Sequence, residues 1–171
     1  MPPLAARTRW LGLAAVYGAA ALVVYRRALP GGLVSDDVAY LANPWLRRPD
    51  LSALAAVLDP GGAPASHTAN YAPLTLLIHA AALRAFGDAW AAHHVLNVLL
   101  HAACATAVAA LLVRAGLAFA AAAFLGAAFL VHPAAVEAVA WLSQLKSVLG
   151  LGLACAALLV EPRRPAWAAA A

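Results

Sequence analysis

Charged side chains are scarce in this sequence: Asp, Glu, Lys and Arg together make up 11% of its 171 residues. Soluble domains usually carry about 25% charged residues, and a domain of this size leaves much of its surface in water. The scarcity of charge therefore argues against an ordinary soluble domain. It favours a protein whose apolar surface faces lipid.

Several chemical signatures are missing as well. No block of Lys and Arg with interleaved aromatics occurs, which argues against a nucleic-acid partner. The cysteines, Cys104 and Cys155, lie inside apolar runs without a CxxC motif or a Cys/His metal spacing, so we interpret both as small buried hydrophobes. A glycine-rich phosphate loop, a Ser/His/Asp triad spacing and an HExxH helix are also absent.

Long apolar runs are what the sequence has instead. Hydrophobic residues make up 65% of the chain, and a full membrane span needs about 20 of them, with about 17 as the lower limit. We expect an all-α membrane fold of about four transmembrane helices. The predicted spans lie near residues 10–27, 91–113, 117–132 and 136–160.

The ends of these runs carry local signals. Arg114-Ala115-Gly116 predicts a tight link between the second and third spans, and His132-Pro133 marks the end of the third. The last run is predicted to continue as one helix until Glu161-Pro162 stops it. Residues 166–171 form a short Ala-rich tail to which we assign no role.

The first run has two interpretations. It could be a cleaved signal peptide, since the basic start suits one. However, Arg26 and Arg27 fall where a small-residue cleavage site would have to be. We therefore favour a retained membrane anchor.

The loop of residues 28–90 contains the most polar stretch, residues 30 to about 70, which prolines and glycines break into short pieces. Asp50–Asp59 is predicted to form a helix with Asp50 as its N-cap. Pro73–Phe86 is predicted to form another helix, which is too short to span a bilayer and therefore interfacial. Charges near the helix ends mildly favour cytoplasmic termini. We therefore expect a multi-pass protein of the inner or plasma membrane, with this loop on the extracytoplasmic side.

An acidic pair, Asp36-Asp37, follows the first span. Adjacent carboxylates near a membrane surface can hold a divalent cation, or one of them can act as a general base. The alternative is a solvated turn in which one carboxylate caps a helix. Spacing alone favours the turn.

Three ionisable residues surround the start of the last span. Glu137 lies near the membrane boundary, where an acid is costly unless it faces a cavity or a partner. For Glu137 and Lys146 we give functional and structural roles equal weight. His132 could instead be a helix-end cap.

Histidines and an asparagine repeat along the second span. His93, Asn97 and His101 are spaced at i, i+4 and i+8 and share one helix face. A metal site would need three convergent ligands in a dry shell. Hydrogen bonding between helices is the favoured interpretation, and a structural role is also favoured for His79.

Four motifs occur in an order that resembles one family. They are Ser35-Asp36-Asp37 with Asn43-Pro44; Asn70-Tyr71-Ala72-Pro73-Leu74-Thr75; His93-His94-Val95-Leu96-Asn97 through His101-Ala102; and His132-Pro133 with Val136-Glu137 and Trp141. Together they resemble the polytopic, TPR-containing membrane proteins related to the protein O-mannosyltransferases, in the GT-C class of glycosyltransferases. The resemblance covers roughly residues 10–160.

The resemblance implies a chemistry for residues 1–165. A GT-C-like module would transfer a sugar from a polyprenyl-phosphate carrier, with Asp36 or Asp37 as the general base or as the holder of a divalent cation. His132 and Glu137 would line the same cavity, and Lys146 would pair with the carrier phosphate. Tyr71 and His101 are further substrate-binding candidates.

The sequence also departs from that family. Ala72 replaces a basic or His residue, and Gln144-Leu145-Lys146-Ser147 replaces a more charged run. TPR units are about 34 residues long, and no such period occurs. We therefore expect a truncated product or one half of a split enzyme, whose missing helices a second membrane chain would supply. The alternatives are a non-catalytic membrane scaffold and a small transporter whose pore the His93–His101 stripe would line.

Overall fold

A computed structural model describes residues 4–48 and 50–161, and every regular element within these ranges is helical. The prediction of an all-α fold is confirmed for them. The longer helices are α1 Leu4–Val24, α5 Pro73–Phe86, α6 Trp90–Arg114, α7 Phe119–Leu130 and α9 Leu145–Val160. The short ones are α2 Asp37–Leu41, α3 Leu51–Val57, α4 Ala63–Thr68 and α8 Val136–Ala140, with 3₁₀ turns at Pro133–Ala135 and Leu142–Gln144.

The described helices include segments that match a bilayer in length and hydropathy. Trp90–Arg114 and Leu142–Val160 are each long and apolar enough to cross a membrane. A third crossing is possible if Phe119–Leu130 and Pro133–Ala140, which meet at an angle of 53°, form one bent span. The chain therefore has the character of a membrane protein with two or three such segments.

Helix α6 lies at the centre of a bundle, in contact with α1, α7 and α9. The bundle core is made of small and aromatic side chains: Tyr17, Ala21, Tyr25, Val98, Ala102, Ala105, Leu130 and Val139. At Gly126 a β-carbon would lie 2.6 Å from the Tyr17 hydroxyl and 3.1 Å from the β-carbon of Ala109. A glycine there lets α7 approach its neighbours closely.

The polar stretch folds into a second unit, which we call the loop domain and define as residues 33–48 and 50–88. Its core contains Tyr40, Leu41, Leu46, Val57, Leu76, Ala80 and Leu83, together with Leu142. Leu142 belongs to the 3₁₀ turn that precedes α9. The loop domain is thus packed onto the bundle at the start of the last helix.

Local sequence signals set several helix ends as predicted. Asp50 is the N-cap of α3, and its side chain accepts a hydrogen bond from the Ala53 N–H at 2.7 Å. Helix α5 begins at Pro73 and ends before Gly87, whose φ is +56°. Gly116, with φ +102°, makes the link between α6 and α7. Glycine reaches such angles without the steric cost that other residues carry.

The prediction of one continuous helix over residues 136–160 is wrong. Helix α8 ends at Ala140, and Trp141 adopts extended backbone angles (φ −87°, ψ 126°) before the 3₁₀ turn and α9. The sequence has neither Pro nor Gly at this break. A continuous helix would place Glu137, Trp141 and Gln144 on one face, and the break removes that shared face.

Candidate functional site

The two acids of the predicted pair have different surroundings. Asp37 is 1% exposed, and each of its oxygens accepts a backbone hydrogen bond. Oδ1 accepts from the Ser143 N–H at 2.7 Å, and Oδ2 accepts from the Val34 N–H at 3.1 Å. The carboxylate therefore fixes the acidic turn to a backbone position 106 residues further along the chain.

Asp36 lies on the surface beside it. Its side chain is exposed, and the Ser35 hydroxyl donates to Oδ1 at 3.4 Å. Ser35 itself has φ +51°, a left-handed backbone conformation that is uncommon outside glycine. Such residues often lie at functional sites, where the surrounding structure holds them in place. Asp36 is thus the accessible acid, and Asp37 holds the turn that presents it.

Lys146 reaches the loop domain from the first turn of α9. Its Nζ lies 3.5 Å from the Tyr40 hydroxyl and 5.3 Å from the centre of that ring. Like the bond between Asp37 and Ser143, this contact joins α2 to the segment around the start of α9. We call these residues, with Asp36, the acidic seam: Asp36, Asp37, Tyr40, Ser143 and Lys146.

The sequence alone gave no reason to choose Tyr40 or Ser143. Neither stands at a motif spacing, and their roles depend on a contact between segments far apart in the chain. Asn43, by contrast, belongs to a quoted motif. It is buried, and its Oδ1 accepts from the Trp45 N–H at 3.1 Å, so it shapes the turn after α2.

The seam offers few ligands for a metal ion. Within residues 4–48 and 50–161, no group of three or more His, Cys, Asp and Glu side chains could hold one. Both oxygens of Asp37 already accept backbone hydrogen bonds. A divalent cation here would rest mainly on Asp36, with its other ligands coming from substrate or water.

A separate cleft of about 440 Å³ lies between α7, α8 and α9. Its polar lining consists of His101, His132 and Ser147, and the rest is apolar: Ala128, Phe129, Ala134, Ala135, Ala138, Val148 and Leu151. Ligand pockets are commonly about 300–1,000 Å³ and mostly apolar with a few polar groups. This cleft fits a hydrocarbon chain better than a sugar.

The predicted site residues are divided between these two places. His132 and His101 line the cleft, whereas the acidic pair, Glu137 and Lys146 are not among its lining residues. Glu137 is exposed. The expected common cavity of His132 and Glu137 with the acidic pair is therefore not found in this cleft. Ser147, which lines the cleft, is next to Lys146 in sequence.

His132 also serves as a helix-end cap. Its Nδ1 accepts from the Ala134 N–H at 3.2 Å at the start of the 3₁₀ turn. Tyr71 has a similar structural contact, since its hydroxyl donates to the Leu58 carbonyl at 3.0 Å, just past the end of α3. Both side chains remain exposed.

The polar stripe of α6 binds the carbonyl ends of other helices. His93 Nε2 donates to the Gly87 carbonyl at 3.0 Å, and His101 Nε2 donates to the Leu130 carbonyl at 3.1 Å. These carbonyls end α5 and α7, and a helix leaves its last four carbonyls without partners of its own. The predicted hydrogen bonding between helices is supported.

Asn97 of the same stripe holds the break after α8. Its Nδ2 lies 2.8 Å from the Val139 carbonyl and 3.2 Å from the Trp141 carbonyl. Arg114, at the other end of α6, donates to the Leu159 carbonyl in α9 at 2.7 Å. Non-helical backbone at membrane depth requires such partners, because lipid supplies none. Buried and bonded in this way, Asn97 and His101 do not resemble pore-lining groups.

His79 packs where the loop domain meets α6. It is buried, and this burial lowers its pKa to about 4, with the nearby His93 adding to the effect and the Leu142 carbonyl opposing it. His79 is therefore neutral at physiological pH. This agrees with the structural role predicted for it.

Comparison with known proteins identifies no relative of this chain. No protein-family model, curated protein or solved structure matches the chain. The resemblance to GT-C enzymes therefore rests on the sequence motifs alone.

Proposed function

We propose that this chain is the membrane module of a GT-C-like glycosyltransferase, which transfers a sugar from a polyprenyl-phosphate carrier to an extracytoplasmic acceptor. One observation carries the proposal: contacts from Asp37 to Ser143 and from Tyr40 to Lys146 bring an accessible carboxylate and a cation into one seam. In this assignment α1 is a fourth span, and the loop domain lies on the outer membrane surface.

Asp36 is the general base of the proposed reaction. It takes the proton from the acceptor hydroxyl as the hydroxyl oxygen bonds to the anomeric carbon of the sugar. The bond from that carbon to the carrier phosphate breaks, and the phosphate leaves with the electron pair. Asp37 touches no substrate; it positions Asp36 through its two backbone hydrogen bonds.

Lys146 stabilises the leaving phosphate. Its ammonium is partly buried and has only the Tyr40 hydroxyl as a recorded hydrogen-bond partner among the described residues, which leaves N–H donors for an anion. A fixed cation aimed at developing negative charge is among the stronger contributions to catalysis. The apolar cleft, which Ser147 lines, would take the first isoprene units of the carrier.

Carrier binding by the full chain in lipid nanodiscs tests this assignment. Polyprenyl phosphate is titrated into wild type, Lys146→Met and Arg27→Gln, the last being an exposed cation next to the first span. We expect Lys146→Met to weaken binding about tenfold, which corresponds to about 1.4 kcal/mol, and Arg27→Gln to change it little. Equal weakening by both variants would reduce the effect to general surface charge and contradict the proposal.

A sugar-transfer assay tests the role of Asp36 as the general base. With a polyprenyl-phosphate sugar as donor, Asp36→Asn is expected to abolish transfer while carrier binding persists. General-base assistance contributes about 10²–10⁴-fold to rate, so a loss in that range supports the assignment. Full transfer activity in Asp36→Asn would remove Asp36 from the mechanism.

A non-catalytic membrane scaffold is the second candidate function, favoured by the complete engagement of Asp37 with backbone N–H groups. A groove of about 320 Å³ between α6 and α9 is lined partly by small residues, among them Ala103, Ala107 and Gly152. Small residues let membrane helices approach closely, as a second membrane chain would require. Absence of carrier binding in wild type would select this function.

A further inference from the structure

A small cavity lies between α5, α6 and the 3₁₀ turn before α9. Its volume is about 10 Å³, which is close to the space that one water molecule requires. Its lining residues are His79, His93, Leu96, Asn97, Leu142 and Leu145. Half of these side chains are polar, whereas truly empty cavities are apolar.

Each polar lining residue has one buried atom without a protein partner. These atoms are His79 Nε2, His93 Nδ1 and Asn97 Oδ1. The three side chains are at most 3% exposed. Buried polar groups are almost always hydrogen-bonded to protein or to ordered water, so three such atoms around one polar cavity require a common partner.

The bonds made by the other atoms of these side chains fix two of the three roles. His93 donates through Nε2 to the Gly87 carbonyl, so in the neutral ring Nδ1 can only accept. Asn97 donates through Nδ2 to the Val139 carbonyl, so the unpartnered Oδ1 is also an acceptor. A partner with two donor hydrogens would satisfy both atoms.

His79 supplies the remaining role. Its neutral ring carries one proton, on one of its two nitrogens, and a water whose two hydrogens go to His93 and Asn97 can bond the unpartnered Nε2 only if that proton is there. With that proton on Nε2, the ring donates into the cavity. The three groups then present two acceptors and one donor, which is the complement of a single water molecule.

We propose that one structural water occupies this cavity, donating to His93 Nδ1 and Asn97 Oδ1 and accepting from His79 Nε2–H. The water joins the loop domain, through α5, to the central helix of the bundle. Ions of either sign fit less well, because the lining mixes a donor with acceptors. The inference does not depend on the proposed transferase activity.

Magic-angle-spinning NMR on the full chain in lipid nanodiscs tests the proposal, with ¹⁵N-labelled histidine and water as the probe. Expected results are a ¹⁵N shift of an unprotonated Nδ1 for His93, and magnetisation transfer from a slowly exchanging water to the Nε2–H of His79. A protonated Nδ1 at His93, or no transfer to a resolved His79 signal, would overturn the proposal.

Two variants test whether the water depends on the polar lining. Asn97→Leu removes one acceptor, and we expect the transfer to His79 to be lost. Leu145→Met changes the same cavity without touching a polar atom, and we expect the transfer to remain. Transfer that persists in a folded Asn97→Leu protein would contradict the assigned geometry. Should that variant fail to fold, the wild-type spectra decide.

Discussion

Helix ends are held in different ways in the loop domain and in the bundle. In the loop domain two aspartates bind close neighbours: Asp50 caps the Ala53 N–H at 2.7 Å, and Asp59 accepts from the Gly61 N–H at 2.9 Å, so the partners lie two or three residues apart. In the bundle the partner lies on α6, 42 positions away for Asn97 and Val139. A local bond depends only on the conformation of its own segment, whereas a remote bond forms only when the two segments pack together.

Asp37 combines both kinds of bond, and its removal should have the largest effect. Asp37→Ala leaves the Val34 and Ser143 N–H groups without their acceptor, one local and one remote. An unpartnered buried group costs about 1–3 kcal/mol, so we expect a loss of about 3 kcal/mol in the free energy of unfolding, measured in detergent micelles.

Asp36→Ala is the matched control for that measurement. The side chain of Asp36 is exposed and accepts the Ser35 hydroxyl. Surface substitutions of this kind usually change stability by less than about 0.5 kcal/mol. Comparable losses in both variants would mean that the two acids are equivalent, against the different environments described above.

The next largest effect should come from the remote cap of the bundle. Asn97→Leu keeps the branched shape of the side chain but removes the Asn97 donor from the carbonyls of Val139 and Trp141, and we expect about 2 kcal/mol of destabilisation. Thr106→Val is the control, because Thr106 bonds only the Ala102 carbonyl of its own helix, at 2.9 Å. Unfolding monitored by circular dichroism would show whether the two costs differ.

The pH dependence of stability tests His79, which lies where the loop domain meets the bundle. The folded pKa of His79 is about 4, against 6.5 for the free side chain. The unfolded chain therefore binds a proton first, so stability is complete above pH 6.5 and falls as the pH drops towards 4. His79→Gln should flatten the stability curve in that window. An unchanged slope would show that His79 carries no such linkage.

The smallest effect belongs to a local cap. The Ser52 hydroxyl and the Ala53 N–H lower the pKa of Asp50 below its usual 3.8, so its stabilising effect is present above that value and is lost as the pH falls through the lower, folded pKa. Asp50→Asn should make this loss disappear. Hydrogen exchange of residues 51–57 at pH 5 and pH 3 measures it, and equal acid sensitivity in both proteins would contradict the cap.

The same distinction explains what could be predicted from the sequence. Pro73, Gly87 and Asp50 act on their immediate neighbours, and the helices that they delimit were predicted correctly. The break at Trp141 has no local cause; Asn97 supplies one from another helix. The apolar run Ala134–Val160 predicts one continuous helix, because its sequence pattern contains no information about that hydrogen bond.

The candidate site divides in the same manner. Composition and motifs selected the acidic pair, but only burial distinguishes Asp37 at 1% exposure from its exposed neighbour. Tyr40 and Ser143 join the site because the loop domain packs on the turn before α9. Whether Glu137 takes part in chemistry stays a prediction, since it lies exposed and outside the cleft.

The central position of α6 also has a consequence for biogenesis. A ribosome completes α6 before it makes α7, α8 or α9, so the donors of Asn97 and His101 are already in place when the carbonyls at positions 139 and 130 emerge. The order of synthesis thus makes α6 available before the segments whose carbonyls its side chains bind.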